Sequence, residues 1–308
     1  MTKKFYVRDH DVFYLSYDEP NAEKNYADIC NKIPWVKRVH GVEGSDAAHK
    51  ACAEQTETER FTTVDGDNII NPKWLDVEIE FDENTDLTNS VVSWCGYNVV
   101  NGLIYGNGGL KCWPKQYVLD MKTHENADPN DPHSQIDFCW DIKYLQLNQT
   151  YSDVYNNYTP AQSWRAGFRE GVKMSLDRGV RVDIDDFKRN HWKNLNRMYI
   201  WQMVGSDVEN GIWAIYGARH GTYITMCTDW DIVHTRDFKY LNNMWKEQSA
   251  KFNSNNIDDE IKRLGEILVN EVEIPIGINP LTATQSKFFK QVYQNPIRGV
   301  ESFIVREN

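Results

Sequence analysis

The chain has no cysteine pair spaced for metal binding and no long apolar run. Its six cysteines are scattered through 308 residues without a Cys-x-x-Cys pair, which argues against a zinc site or a disulfide framework. No apolar stretch approaches the ~18 residues of a membrane span. The opening residues, MTKKFYVRDHDVFYLSY, also lack the apolar core of a signal peptide. These absences predict a cytoplasmic protein with no membrane partner.

The sequence is acidic overall but not uniformly so. It has 34 Lys and Arg against 45 Asp and Glu, and a net charge of -11 argues against generic nucleic-acid binding. Residues 161–200 are the exception, with nine basic and five acidic side chains. A local basic surface on an acidic protein is therefore still expected.

The first 67 residues alternate between two kinds of pattern. Three strand-like segments, beginning at residues 11, 35 and 60, are separated by two stretches of helical spacing. This order predicts a parallel sheet with helices on its faces, whose ligands bind at the carboxyl ends of the strands. The loops that would meet there are Asp18-Glu19, residues 41–46 and Asp65-Gly66-Asp67.

Beyond residue 73 the patterns predict further strands and then helices. The strand-like segments are 74–81, 90–100 and 138–147. Four helices are expected. One begins at the Thr159 N-cap, two cover 185–202 and 257–272, and the last lies within 284–295. The overall prediction is an α/β fold in which residues 251–308 form a C-terminal helical extension.

Asp65 and Asp67 stand two residues apart after a buried strand-like segment. Divalent cations prefer carboxylate oxygens, and a turn at a strand end can direct both side chains at one ion. Gly66 would leave room for a phosphate or the metal to approach the backbone. The pattern predicts a Mg²⁺ or Mn²⁺ site that neutralises a leaving diphosphate. The alternative is an Asp-Gly turn between two strands.

The stretches LSYDEPN, KRVHGVEGSDAAHKACAE and ERFTTVDGDNIINP together resemble the nucleotide-sugar half of GT-A glycosyltransferases. The resemblance implies a GT-A-like (Rossmann-like) mixed sheet with helices on both faces. It also implies a catalytic domain, residues 1–250, that consists of a nucleotide-sugar half (1–110) and an acceptor half (111–250). The implied activity is metal-dependent hexosyl or pentosyl transfer from a nucleotide-sugar, with a UDP-sugar as the expected donor. A narrower resemblance is to glycosyltransferases of large tailed phages, some of which modify bases in DNA in the host cytoplasm.

The resemblance assigns roles to individual residues of the nucleotide-sugar half. Asp65 and Asp67 would hold the metal. His220, which lies between glycines after an expected strand, would be a further ligand, with His234 as the second choice. The helix over residues 46–57 would offer its positive end to an anion. The donor-binding candidates are Asp18, Glu19, His40, Gly44, Asp46, His49, Lys50, Asp65, Asn107, Gly108 and Gly109. Alternatives stay open: a solvated helix face for His49 and Lys50, and a hairpin turn at Asn107-Gly108.

Catalytic and acceptor-binding candidates lie further along the chain. Asp137 and Asp141 flank an apolar stretch, and either could take the proton of an acceptor hydroxyl. Trp113 could stack on a sugar ring. The basic and aromatic side chains of 185–202 fit a DNA acceptor, such as a flipped hydroxymethylated base, or simply a solvated basic helix face. The candidates there are Lys188, Arg189, Trp192 and Lys193.

Two other function classes compete with this interpretation. A sugar nucleotidyltransferase usually carries a glycine-rich basic loop after its first strand, whereas YDEPNAEK contains no glycine. A non-catalytic nucleotide-binding or phage structural protein would not show metal-dependent donor binding.

Overall fold

A computed structural model describes residues 2–106, 109–138, 143–177, 179–183, 192–294 and 303–307, without the side chains of 192, 193 and 303–307. The strands are β1 (Thr2–Tyr6), β2 (Asp11–Ser16), β3 (Lys37–His40), β4 (Arg60–Asp65), β5 (Asn68–Ile70), β6 (Val77–Asp82), β7 (Ser90–Asn98), β8 (Ile104–Tyr105), β9 (Lys111–Pro114), β10 (Lys143–Val154), β11 (Leu176–Asp177), β12 (Val180–Arg181) and β13 (Phe303–Glu307). The helices are α1 (Ala22–Lys32), α2 (Ser45–Gln55), α3 (Lys115–Asp120), α4 (Pro132–Ile136), α5 (Pro160–Met174), α6 (Trp192–Met203), α7 (Gly211–Cys227), α8 (Phe238–Lys251), α9 (Ile257–Asn270) and α10 (Ala283–Val292).

The main sheet has the strand order β3-β2-β4-β9-β7-β10-β5, and β8 pairs with β7 beside this path. Strand β2 is parallel to both β3 and β4. Strand β9 is antiparallel to β4 and β7, and β10 is parallel to β7. The strand–helix–strand–helix–strand order predicted for the first 67 residues is therefore confirmed, within a mixed α/β sheet.

Apolar residues on both faces of β2 explain why helices cover both sides of the sheet. Val12 and Tyr14 belong to one buried cluster, to which α1 contributes Ile29. Phe13 points the opposite way, because strand side chains alternate between faces, and it packs with Cys52 of α2. Strands β2 and β4 are consequently buried on both sides.

The Asp65-Gly66-Asp67 turn lies where the main sheet curls back on itself. Only Gly66 and Asp67 separate β4 from β5, yet β5 pairs with β10 at the far end of the strand order. The carbonyl of Asp67 accepts a hydrogen bond from the backbone N–H of Tyr155, at 2.7 Å. The Gly66 carbonyl accepts from the Tyr14 hydroxyl at 2.8 Å and from Asn25 Nδ2 at 2.9 Å. The turn is thus held from two sides.

Helices α5 and α7 pack at unusually close range. A Cβ on Gly167 would lie 2.0 Å from the Ala214 carbonyl oxygen, and one on Gly217 would lie 2.2 Å from that of Trp164. The start of α5 is as predicted: the Thr159 hydroxyl accepts from the backbone N–H of Gln162 at 3.1 Å. This close packing fixes α5 against the helical part of the molecule.

Several sequence-based assignments need correction. Segment 74–81 divides into a 3₁₀ turn, Pro72–Asp76, and β6, which belongs to a separate sheet of order β1-β6-β13. The C-terminal segment contains α9 and α10 but ends in β13, so it is not helical throughout. The stretch around His220, expected to follow a strand, lies inside α7. Among the described helices, none combines the length and apolar character needed to span a membrane.

Candidate functional site

The site predicted from Asp65-Gly66-Asp67 lies at the carboxyl ends of β2, β3 and β4. Leu15 pairs with Asp65, and Ser16 pairs with His40, so the three strands end at one edge of the sheet. His40 is exposed there, with its Nδ1 2.9 Å from the Ser16 hydroxyl. The predicted convergence of these three strand ends is confirmed.

Glu19 lies directly over Gly66. Its Oε2 accepts a hydrogen bond from the backbone N–H of Tyr17 at 2.8 Å. A Cβ on Gly66 would lie only 2.7 Å from the same oxygen. Glycine at 66 therefore makes room for a carboxylate of the protein itself, where the sequence suggested room for a phosphate or metal.

Glu19, Asp65 and Asp67 form an electrostatically coupled group. Burial, together with the neighbouring Asp65 and Glu19, raises the pKa of Asp67 to about 7, although a 2.7 Å hydrogen bond from Asn68 Nδ2 lowers it. Burial also raises the pKa of Glu19, more than the Tyr17 N–H lowers it. Within the described residues, none of these three carboxylates has a Lys or Arg ion-pair partner. Negative charge is thus concentrated here, with Lys111 within electrostatic range of Asp65 and Arg169 within range of Asp67.

The chemistry of these side chains fits a hard divalent cation. Across the described ranges, no three or more His, Cys, Asp or Glu side chains are grouped as a complete metal site. Mg²⁺ is commonly held by one or two carboxylates together with substrate phosphates and water. Asp65 and Asp67 would supply such a pair. A phosphate ligand would complete the coordination shell.

The amino end of α2 does not offer the predicted anion site. The Glu125 carboxylate already occupies it, accepting from the backbone N–H of Ala47 at 2.9 Å. A Cβ on Gly44 would lie 2.1 Å from the same Glu125 oxygen. Next to it, buried Asp46 pairs with Lys50 at 2.8 Å and accepts from Asn126 Nδ2 at 2.7 Å.

Two of the predicted binding residues, the acceptor contact Trp113 and the donor contact His49, belong to the core. Trp113 is 0% exposed, and its Nε1–H donates to the Thr63 hydroxyl at 2.9 Å. It has no free face on which an acceptor sugar could stack. His49 is buried against Trp113 and Phe138, with ring centroids 5.2 and 4.8 Å away, and burial lowers its pKa. Both residues therefore pack α2 and β9 together, and we assign neither to ligand binding.

Asp137 remains in a position that suits a proton acceptor. It follows α4, is partly exposed, and lies 3.5 Å from Lys173 Nζ. Burial acts to raise its pKa, but Lys173 and His124 outweigh burial and lower it. The Asp137 carboxylate is therefore ionised near neutral pH, as a general base requires.

Helix α5 contributes a set of cations that sequence reasoning missed. Arg165, Arg169 and Lys173, here called the α5 basic row, are four residues apart and therefore share one helix face. Arg165 binds both oxygens of Asp18, at 2.9 and 3.0 Å, so the predicted donor-binding residue Asp18 is engaged in an ion pair. The signal was the positive stretch 161–200 read at helical spacing.

The predicted histidine ligands lie elsewhere. His220 packs in α7 with its ring 5.5 Å from that of Tyr216 and 5.4 Å from that of Phe168. His234 stacks on Tyr240 with ring centroids 3.8 Å apart. These aromatic surroundings do not support a metal-ligand role for either histidine. The candidates Asn107, Gly108, Asp141, Lys188 and Arg189, and the side chains of Trp192 and Lys193, lie outside the described residues.

Comparison with known proteins adds no family assignment: no protein-family model matches the chain, and no curated protein matches it.

Proposed function

We propose that the protein is a metal-dependent glycosyltransferase that uses a nucleotide diphosphate-sugar. The observation that carries this proposal is the pair Asp65 and Asp67, which ends a parallel strand without a Lys or Arg partner among the described residues. Such a pair is suited to an ion that also binds a diphosphate. The α5 basic row lies near the same group, since Arg169 is within electrostatic range of Asp67.

The proposed reaction transfers a glycosyl group to a hydroxyl. The acceptor oxygen forms a bond to the anomeric carbon, while the bond from that carbon to the diphosphate oxygen breaks. The diphosphate leaves with the bonding electron pair, and the acceptor proton passes to Asp137. A bound Mn²⁺ or Mg²⁺ would neutralise charge on the diphosphate. A hydroxymethylated base in DNA is the acceptor we propose, on the basis of the basic stretch 161–200 and the resemblance to phage enzymes.

Thermal unfolding with a panel of nucleoside diphosphates, with and without Mn²⁺, tests the proposal. A ligand that binds only the folded chain stabilises it by mass action, by ~2.7 kcal/mol at one hundred times its Kd, and so raises the melting temperature. We expect a Mn²⁺-dependent shift with one nucleotide, UDP first, and loss of that shift in Asp67→Asn. Asp82→Asn, an exposed change on β6, is the matched control and should keep the shift.

Product analysis separates the competing functions. A glycosyltransferase releases nucleoside diphosphate from a nucleotide-sugar when an acceptor is present. A nucleotidyltransferase instead joins a sugar 1-phosphate to a nucleoside triphosphate, and the triphosphate releases pyrophosphate. If no nucleotide shifts the melting temperature of the wild type, with or without Mn²⁺, Asp65-Gly66-Asp67 is a structural turn and the proposal fails.

A further inference from the structure

The middle cation of the α5 basic row differs from its two neighbours. Arg165 is neutralised by Asp18, and Lys173 by Asp137. Arg169 has no carboxylate partner of its own among the described residues. Its pKa is lowered by burial and by Arg165, although Glu170, Asp137 and Asp67 act in the opposite direction. A partly buried cation between two paired ones therefore lies within electrostatic range of Asp67.

Most of the hydrogen-bonding capacity of Arg169 is unused. Its Nε donates to the Thr235 carbonyl at 3.2 Å. Throughout the described part of the chain, neither Nη1 nor Nη2 donates a hydrogen bond to any group. A guanidinium has five N–H donors in a planar fork, so four of them remain available. An unpaired, partly desolvated charge costs free energy that an incoming anion would recover.

The ring of Phe238 holds the guanidinium in place. The Cζ of Arg169 lies 5.0 Å from the ring centroid of Phe238, and that of Arg165 lies 4.3 Å from the same centroid. Two guanidinium groups therefore share one aromatic ring, while Asp18 is the one carboxylate that pairs with either of them among the residues that the structure describes. The local charge is complementary to an oxyanion with at least two oxygens, and a planar guanidinium binds phosphate in two-point fashion.

We infer that Arg169 is a phosphate-binding residue that contacts a non-bridging oxygen of the donor diphosphate, with Arg165 reinforcing the positive field. This inference rests on the proposed function, because the phosphate is taken to bridge Arg169 and the Asp65/Asp67 group. The two carboxylates would act on the diphosphate through a divalent ion. Arg169 acts on it directly and needs no metal.

Titration with inorganic pyrophosphate, in EDTA and in Mn²⁺, tests the inference by calorimetry. We expect Arg169→Gln to weaken pyrophosphate binding roughly tenfold or more under both conditions, because charge-assisted hydrogen bonds are lost. The pyrophosphate affinity of Arg169→Lys should lie between those of the wild type and Arg169→Gln, since lysine keeps the charge but lacks the planar set of donors. Asp67→Asn should lose only the increment that Mn²⁺ provides. Arg263→Gln removes an exposed arginine paired with Glu260 and should bind like the wild type.

The outcomes distinguish this inference from the proposed function. Equal pyrophosphate affinity of folded Arg169→Gln and wild type overturns the inference, as does the absence of any pyrophosphate binding to the wild type. Arg169-dependent binding without any Mn²⁺ increment supports the inference but removes the proposed metal-diphosphate site. If Arg169→Gln does not fold, the pyrophosphate affinity of Arg169→Lys tests the inference by itself. An affinity equal to that of the wild type contradicts two-point binding by Arg169.

Discussion

The backbone of Gly109 and the side chain of Asp65 occupy adjoining space. The backbone N–H of Asp65 donates to the Gly109 carbonyl at 3.3 Å, and a Cβ added to Gly109 would lie 2.1 Å from Cγ of Asp65. No residue with a side chain fits at 109 unless the backbone of residue 65 or 109 shifts, because the added Cβ would also lie 2.2 Å from the Cβ of Asp65. Gly109, predicted as a donor contact, thus has a second effect: it sets where a proposed metal ligand can lie.

Replacing Gly109 by alanine tests that relationship. We expect Gly109→Ala to displace the Asp65 carboxylate and to weaken Mn²⁺ binding about tenfold, or ~1.4 kcal/mol. The midpoint of urea unfolding without metal should also fall, because rotation of the Asp65 side chain cannot relieve a contact at its Cβ. Calorimetric titration with Mn²⁺ and UDP measures the effect. Gly41→Ala is a useful comparison, since it adds backbone strain at a φ of +73° while nothing lies within 4 Å of its Cβ. Unchanged Mn²⁺ affinity in Gly109→Ala would show that Asp65 is not a ligand.

Asp137 provides a separate test of catalysis. If it takes the acceptor proton, Asp137→Asn should lower kcat by roughly 10²–10⁴ while donor binding stays unchanged. Lys173→Gln removes the cation that lowers the pKa of Asp137, so that pKa should rise. The acidic limb of the rate profile should then move to higher pH. A fall in kcat that is the same at every pH would assign Lys173 another role.

The sequence revealed the fold where its signals are local. The strands and helices between residues 11 and 65 are predicted by apolar periodicity, because each segment carries its own pattern. The curl of the sheet could not be predicted in this way. It depends on β5 pairing with β10, between residues such as Ile70 and Ser152 that are far apart in the chain.

The same distinction applies to the candidate site. Asp65-Gly66-Asp67 is a contiguous motif at a strand end, so sequence alone could nominate it. The placement of Glu125 on the amino end of α2 joins residues 78 positions apart, and the ion pair of Arg165 with Asp18 joins residues 147 positions apart. Periodicity carries no information about such contacts. For this reason the sequence could not predict that Glu125 fills the expected anion site, or that Asp18, an expected donor contact, is paired with Arg165.

From the contacts of Arg219 we predict that the segment after residue 250 is needed for folding. This arginine is 0% exposed, and it donates to the carbonyls of Gln202, Ile261, Gly277 and Ile278 at 2.6 to 3.1 Å. Burial lowers its pKa to about 10. It ties α7 to α6, to α9 and to the chain that follows α9.

Arg219→Lys should therefore be strongly destabilising. A lysine ammonium cannot reach four separated carbonyls, and each buried acceptor left without a donor costs about 1–3 kcal/mol. We expect the free energy of unfolding, measured in urea, to fall by about 3 kcal/mol or more. Arg263→Lys, at an exposed pair, should change it by no more than about 0.5 kcal/mol. A small effect at Arg219 would mean that the last 58 residues dock independently of this contact.

His220 gives a pH prediction with a defined sign. Burial lowers its pKa from 6.5 to about 4, with Arg263 and Lys251 acting in the same direction, and its Nδ1 is buried without a hydrogen-bond partner. Between pH 6.5 and about pH 4, His220 is protonated in the unfolded chain but stays neutral in the folded chain. The contribution of His220 is therefore complete above pH 6.5 and is lost as the pH falls toward 4.

Phenylalanine at 220 should remove this dependence. It keeps an aromatic ring beside Tyr216 and eliminates both the unpaired nitrogen and the titration. We expect His220→Phe to gain up to about 3 kcal/mol on the wild type between neutral pH and pH 4, as measured by urea unfolding at each pH. The Mn²⁺-dependent shift should persist in the variant, because the aromatic surroundings of His220 do not support metal binding. Parallel stability curves would contradict the proposed burial effect. Loss of the Mn²⁺ shift, in a variant as stable as the wild type at neutral pH, would restore the ligand role predicted for His220.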